Sequence, residues 1–332
     1  MTRQIILFGG QWTDLSLEEL APRLSEWSYQ GIELCCWGGH FELDAAAGRA
    51  GYIEERLDLL SRHDLAVPVL AGHRIGQAIC DRIDASHRSI LSDEIWGDGD
   101  PAGIRARACD QMKETARSAQ KMGVPVVSGF TGSALWPHVL GYPGPTSTAV
   151  EKGFEDFASL WNPILDVFGQ CSVRFALEVH PGQIAFDFYS AEMALEAMNG
   201  RDEFGFTFDP SHLFWQGIDP VEFLRRFSDR IYHVHIKDIA LALNGRAGLL
   251  NSYLSYGDSR RGWDFRSAGR GSIDWESIIR TLNDIGYNGP LSVEWGDRLM
   301  NREQAAEEAC RFVRRLDFEP ARGHIGPAFR ET

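Results

Sequence analysis

Four acidic or imidazole side chains stand where apolar runs of the chain end. Glu178 closes RFALE ahead of VHPG, Asp209 closes FGFTF ahead of PSH, His235 lies in IYHVHIKD, and Glu294 closes LSV ahead of WGD. Two glutamates, one aspartate and one histidine form a mixed oxygen and nitrogen donor set of the kind Mn²⁺, Mg²⁺ or Co²⁺ accepts, whereas Zn²⁺ prefers more nitrogen or sulfur. Mn²⁺ is the expected ion, with Mg²⁺ or Co²⁺ as alternatives. Taken singly, each residue has an ordinary structural explanation. A strand-end glutamate pairs with a neighbour, Asp209 before Pro210 caps a turn, and HVH puts alternate histidines on opposite faces of a strand. Gathered in one place, the four would repel or stay expensively desolvated without a cation. They are far apart in sequence, so the reading depends on elements that bring strand ends together.

Those elements are legible. Short apolar segments at 4–8, 31–37, 65–71, 124–130, 174–180, 204–209, 231–237 and 291–294 alternate with longer amphipathic stretches. Runs such as IILF and VPVV are apolar at consecutive positions, as strands buried on both faces are. Ser16 and Glu19 form a capping-box signature at the start of the first helix. Further helices are expected over 104–122, 155–168, 220–227, 273–285 and 302–315, with Gly123 and Gly286 as stop signals. Eight strand–helix units predict an α/β fold, a single (β/α)₈ TIM barrel with long loops at its C-terminal face. A doubly wound open sheet is the competing architecture. The barrel is expected to span 1–317, followed by a tail at 318–332. Segments 72–103, 131–150 and 240–271 read as irregular, the last as an insertion over the barrel mouth, and long loops there are expected to bind something.

The formal net charge of −14 disfavours a nucleic-acid binder, which needs a basic surface. No membrane-length apolar stretch or signal-peptide pattern is visible, and the six cysteines form no disulfide or CxxC pattern, so a cytoplasmic protein with reduced thiols is expected. FGGQW lacks GxGxxG spacing, so no nucleotide cofactor is expected.

As a set, LEVHPG, FDPSH, HVHIKD and SVEWGD resemble the motifs of the xylose isomerase-like barrels, the sugar phosphate isomerase/epimerase superfamily. The resemblance implies a divalent metal held by Glu178, Asp209, His235 and Glu294, with His212 touching substrate or metal-bound oxygens. FGGQWTDLSLEEL, GIELCCWGGHFE, IWGDGDP and RRGWDF carry a more specific resemblance, to the large subunits of bacterial C-glycoside deglycosidases. This implies a metal-dependent lyase on 3-oxo-glycosides, a small β subunit as partner, and His180 as a catalytic residue.

The implied lyase chemistry is removal of the C2 proton beside the 3-oxo group, followed by loss of the C1 substituent. His180 or a metal-proximal carboxylate is the expected base. Lys237 is expected to steady the enolate, and His73 or His138 to act as the second acid. Trp136, Arg260 and Arg261 are expected to contact substrate. An isomerase or epimerase working through an enediolate is the alternative, with Glu178 and Glu294 exchanging protons at opposite faces. Glu33 and His40, near strand two, either orient the sugar ring or are structural, and His233 reads as support or packing for His235.

Overall fold

The computed structural model describes residues 3–320. Eight parallel strands close on themselves: β1 (Ile5–Phe8), β2 (Gly31–Cys35), β3 (Ala66–Ala71), β4 (Val126–Gly129), β5 (Arg174–Glu178), β6 (Phe204–Phe208), β7 (Ile231–Ile236) and, after two short strands described below, β10 (Leu291–Val293). β1 pairs with both β2 and β10, which seals the barrel. The strands lie inside the eight segments read from sequence and are shorter by a residue or more at one or both ends. Most are buried along their length, which accounts for their continuous apolar runs. The Ser16–Glu19 capping box forms as expected.

The segments read as irregular contain more structure than their composition shows. Segment 72–103 holds the helices His73–Cys80 and Asp93–Trp96, and segment 131–150 holds Trp136–Val139 and the start of Ser147–Gln170. His73, Arg74 and Gln77 face the barrel mouth and Ile75, Ala78 and Ile79 are buried, but helix His73–Cys80 spans only about two turns, too short for its period to stand out in the sequence. Helices Leu43–Gly48, Tyr52–Ser61 and Phe188–Ala197 also escape the sequence reading. Helix His73–Cys80 presses on the end of β4 so closely that a Cβ at Gly76 would come within 1.8 Å of the Phe130 carbonyl oxygen.

The insertion 240–271 is anchored by an antiparallel hairpin of β8 (Asp238–Leu241) and β9 (Trp263–Arg266). One carboxylate fixes it. Asp238, 1 % exposed, accepts hydrogen bonds from the amides of Ile239, Gly269, Gly271 and Ile273 and from the Trp275 indole, at 2.8–3.3 Å. Gly271 is required there, because a Cβ would lie 2.1 Å from Asp238 Oδ1. At the far end of the barrel, Arg3 joins the chain ends by bonding Asp317, the Tyr287 carbonyl and Asn283. Of the expected tail, Phe318 accepts from Asn283 Nδ2 at 3.0 Å, while 321–332 lie outside the described residues. Among the described residues no helix is long and apolar enough to cross a membrane.

Asp238→Ala leaves several buried donors without an acceptor and is expected to lower stability by about 3 kcal/mol or more in urea unfolding, with new protease cleavage within 240–271. Gly76→Ala forces helix His73–Cys80 off β4 and is expected to cost about 1–3 kcal/mol in the same assay.

Candidate metal centre

The barrel delivers the four residues from four neighbouring strands. Glu178 is the last residue of β5, Asp209 follows β6, His235 lies in β7 and Glu294 follows β10. One donor atom from each lies within 4.8 Å of the others. Local structure aims them. Asp209 caps helix Pro210–Phe214, its Oδ1 accepting from the Ser211 amide at 2.8 Å and hydroxyl at 2.7 Å, which leaves Oδ2 for the cluster. Gln11 Nε2 holds Glu294 Oε1 at 2.8 Å.

The contacts within the cluster are those of co-ligands rather than hydrogen-bonding partners. His235 Nδ1 lies 3.2 Å from Glu294 Oε2, and His212 Nε2 lies 3.1 Å from Glu178 Oε1 and 3.4 Å from Asp209 Oδ2. His235 Nδ1, His212 Nε2 and Asp209 Oδ2 are nevertheless buried without an aligned hydrogen bond. Buried polar atoms that converge on one point without satisfying each other fit a cation. The cation present among them is Lys237, whose Nζ lies 2.8 Å from both Asp209 Oδ2 and Glu294 Oε2 and 3.8 Å from Glu178 Oε1. Burial acts to raise the carboxyl pKa values, but the Lys237 ammonium and the imidazoles outweigh it. Glu178 is held well below the usual range and Glu294 at about 2. Burial opposes the charge of Lys237 as well, yet the three carboxylates raise its pKa above the ordinary value.

A second group suited in type to a divalent ion, Glu33, His233 and His235, lies beneath the first. Here one oxygen is already saturated. Glu33 Oε2 is within hydrogen-bonding distance of His233 Nε2 at 2.8 Å, His235 Nε2 at 3.0 Å and the Ser292 hydroxyl at 2.7 Å, and all four residues are fully buried. With its Nε2 proton directed to Glu33, His235 turns Nδ1 to the upper cluster. Of the two roles left open for Glu33, the structure matches support beneath the site. His40 is structural, with Nε2 3.0 Å from the Leu15 carbonyl.

A cavity of about 290 Å³ opens over the cluster. His73, His180, His212, Lys237, Glu178 and Glu294 all line it. His73 Nε2 lies 3.0 Å from Glu178 Oε2. His180 packs against His212 at 3.9 Å between ring centroids, and its Nδ1 lies 2.5 Å from the Pro181 carbonyl. Burial, then His212, pushes the His180 pKa down to about 3.

Four of the expected site residues do not line this cavity: the substrate contacts Arg260, Arg261 and Trp136, and the candidate acid His138. Arg260, on an exposed turn, is bound in bidentate fashion by Asp258. Arg261 is buried inside the insertion, its guanidinium over the rings of Tyr256 and Trp263 and donating to the Leu254 carbonyl at 2.7 Å. The insertion uses both guanidinium groups to hold its own shape. Trp136 and His138 lie on helix Trp136–Val139, where Trp136 packs edge-on to Phe186. Sequence reasoning passed over Arg74, Gln77 and Phe130, which do line the cavity. Their signal was position alone, directly after β3 and β4.

Residues 22–316 match the xylose isomerase-like TIM barrel family, and the chain belongs to it. Among curated proteins, an uncharacterized Bacillus subtilis protein, YfiH, is 29 % identical over 185 residues, which cover 54 % of this chain and 56 % of YfiH. An inosose dehydratase of Clostridium botulinum is 39 % identical over 87 residues, 26 % of this chain and 28 % of the dehydratase. The chain thus spans about half, or about a quarter, of the length of these relatives. Among solved structures, E. coli 3-keto-D-glucoside 4-epimerase YcjR superposes with a TM-score of 0.66 at 14 % identity, covering 94 % of this chain and 99 % of that one. The probable 3-DHS dehydratase AsbF of Bacillus anthracis gives 0.67 at 16 % identity, covering 94 % and 98 %.

Mn²⁺ is expected to raise the thermal unfolding midpoint, by mass action on the folded state, and Asp209→Asn to abolish the rise. Glu33→Gln is expected to weaken Mn²⁺ binding about 10–100-fold in a calorimetric titration, because it disturbs the orientation and basicity of His235.

Proposed function

We propose that the protein is a divalent-metal-dependent lyase acting on 3-oxo-glycosides, removing the C2 proton and eliminating the C1 substituent. The observation that carries the reading is the shared cavity: Glu178 and Glu294 of the four-residue donor set, the His180 imidazole and the ammonium of Lys237 all border one small space, with Asp209 and His235 completing the donor set behind it. The inosose dehydratase similarity supports it, since a dehydration is an elimination. The motifs shared with the C-glycoside deglycosidase large subunits support the glycoside.

Glu178, Asp209, His235 and Glu294 would hold the ion, and Mn²⁺ suits three oxygens and one nitrogen. Such an ion supplies Lewis-acid polarisation of the substrate ketone. The remaining steps belong to side chains. The short His180 Nδ1 contact to the Pro181 carbonyl assigns the ring proton to Nδ1, so Nε2 carries the lone pair. His180 Nε2 takes the C2 proton. Lys237 stabilises the negative charge that develops on the oxygen. The C1 substituent departs with its bonding electrons and is protonated by His73, which borders the cavity where His138 does not. His212 positions the sugar hydroxyls. The proposal includes a small partner subunit and a cytoplasmic setting.

The test is a ¹H NMR time course in D₂O with Mn²⁺ and a 3-oxo-C-glucoside, with and without a co-expressed small subunit. Release of the C1 group should cease on chelation and return with Mn²⁺. His180→Asn should reduce kcat by about 10²–10⁴-fold while leaving Mn²⁺ affinity in place. Metal-dependent deuterium uptake that yields an epimer or isomer and no released group would overturn the lyase assignment in favour of isomerisation.

A further inference from the structure

Helix His73–Cys80 turns three polar side chains toward the cavity, and two of them face polar groups of the protein. His73 Nε2 lies 3.0 Å from Glu178 Oε2, though without an aligned hydrogen bond. Gln77 donates to Asp81 at 2.7 Å and accepts from Gln183 at 2.7 Å. The third, Arg74, is half-buried and lines the cavity, yet among the described residues it has neither a carboxylate nor a carbonyl partner. Its guanidinium lies over the Trp37 ring, 5.3 Å from the centroid, and Trp37 is in turn packed edge-on by Phe8 and His73. The indole backs one side of the guanidinium, and the five N–H donors of the guanidinium find no acceptor among the described residues.

Nearby arginines show what this region does with a guanidinium that serves the fold. Arg105 donates to the carbonyls of Ile79 and Asp81, and Arg107 to those of Ile95 and Trp96, at 2.8–2.9 Å. A half-buried arginine denied both acceptors and part of its hydration is a cost that calls for an explanation.

Its place supplies one. A second cavity, of about 570 Å³, lies beside the first, and Trp37, Arg74 and Ile90 line both. Arg74 therefore stands at their junction. Glu42, Asp44 and Glu94 border the outer cavity. Their charges disfavour a phosphate dianion, whereas a single carboxylate matches the planar fork of a guanidinium.

We propose that Arg74, backed by Trp37, is a carboxylate-binding subsite, so that the substrate is a monoanionic oxo-sugar derivative whose carboxylate sits where the two cavities meet. The sugar half of this statement rests on the function proposed above. The carboxylate half rests on Arg74. The carboxylate belongs either to the sugar ring or to the group attached to it.

The test is calorimetric titration of the full Mn²⁺-loaded protein with D-glucuronate and with 4-hydroxybenzoate, each against an uncharged counterpart, D-glucose and 4-hydroxybenzamide. At least one carboxylate should bind about tenfold or more tightly than its counterpart, and which one does so identifies the source. Arg74→Met should erase that preference while leaving the melting midpoint and Mn²⁺ affinity unchanged, and Arg74→Lys should restore part of it. If Arg74→Met does not fold, Arg74→Gln takes its place. Three outcomes overturn the proposal: no preference for either carboxylate, no binding of either, or a preference that survives loss of the arginine because the carboxylate binds the ion directly. Binding is read without turnover. An enzyme with no lyase activity can still show the preference, and a site indifferent to carboxylates leaves the lyase proposal standing.

Discussion

Three carboxylates, Glu178, Asp209 and Glu294, are brought within a few ångströms of one another at the mouth of a closed barrel, shielded from bulk water. That concentration of negative charge is the constraint around which the upper half of the molecule is arranged. Without positive charge in its midst the group would be paid for in protonation or in repulsion. Lys237 places its ammonium between two of the three. The imidazoles of His73, His212 and His235 each approach a carboxylate oxygen from outside. A cluster that needs a cation and still leaves donor atoms unaligned is a binding site for a more highly charged one. Burial, then the neighbouring His212, pushes the His180 pKa down, with Lys237 adding to the effect against the opposing pull of Glu178.

Such a cluster works only if its members cannot drift apart, and the rest of the structure supplies that rigidity. Strand pairing sets the backbone positions. β10 runs in register with β7, setting Ser292 opposite His235, so that both side chains reach Glu33 in the barrel interior. Polar residues there replace the branched apolar layers that usually fill such a barrel. The exchange gives up some apolar burial and gains a fixed orientation for His235. Above the mouth, Asp238 performs the corresponding task for the insertion. Its carboxylate follows Lys237 directly in the chain, so the residue that stabilises the cluster and the residue that fastens the loop share one turn of backbone.

The parts of this arrangement that were legible in the sequence are those written in strong local patterns. Strands buried on both faces announce themselves as apolar runs, and polar residues at or near the ends of β5, β6, β7 and β10 mark the mouth. This is why all eight barrel strands and the four donor residues follow from the chain alone. The loops are another matter. Arg260 and Arg261 sit in a basic cluster inside an insertion, and nothing local reveals that Asp258 and the loop's own carbonyls consume them. Trp136 and His138 follow β4 in sequence, but a short helix carries them out of the cavity. Arg74 shows the converse. It looks unremarkable between His73 and Ile75, and its importance lies in what it fails to touch, which only a three-dimensional arrangement can express.

The overall charge of the chain, −14, is therefore a poor guide to what its cavity accepts. Long-range charge governs encounter and solubility and is screened within about 10 Å at ordinary ionic strength, whereas a half-buried guanidinium acts at contact distance in a medium that screens it little. Within the cavity, the carboxylates of the cluster face inward and are already bonded or close to positive partners. Arg74 faces the junction with no such partner. A monoanion entering from the outer cavity thus meets one uncommitted positive charge before it meets the cluster. On the proposed reading it would be held with its carboxylate outward and its reacting carbons toward His180. In the proposed arrangement Arg74 fixes orientation and the crowded carboxylates would hold the ion, and the division follows from which charges the fold has already satisfied.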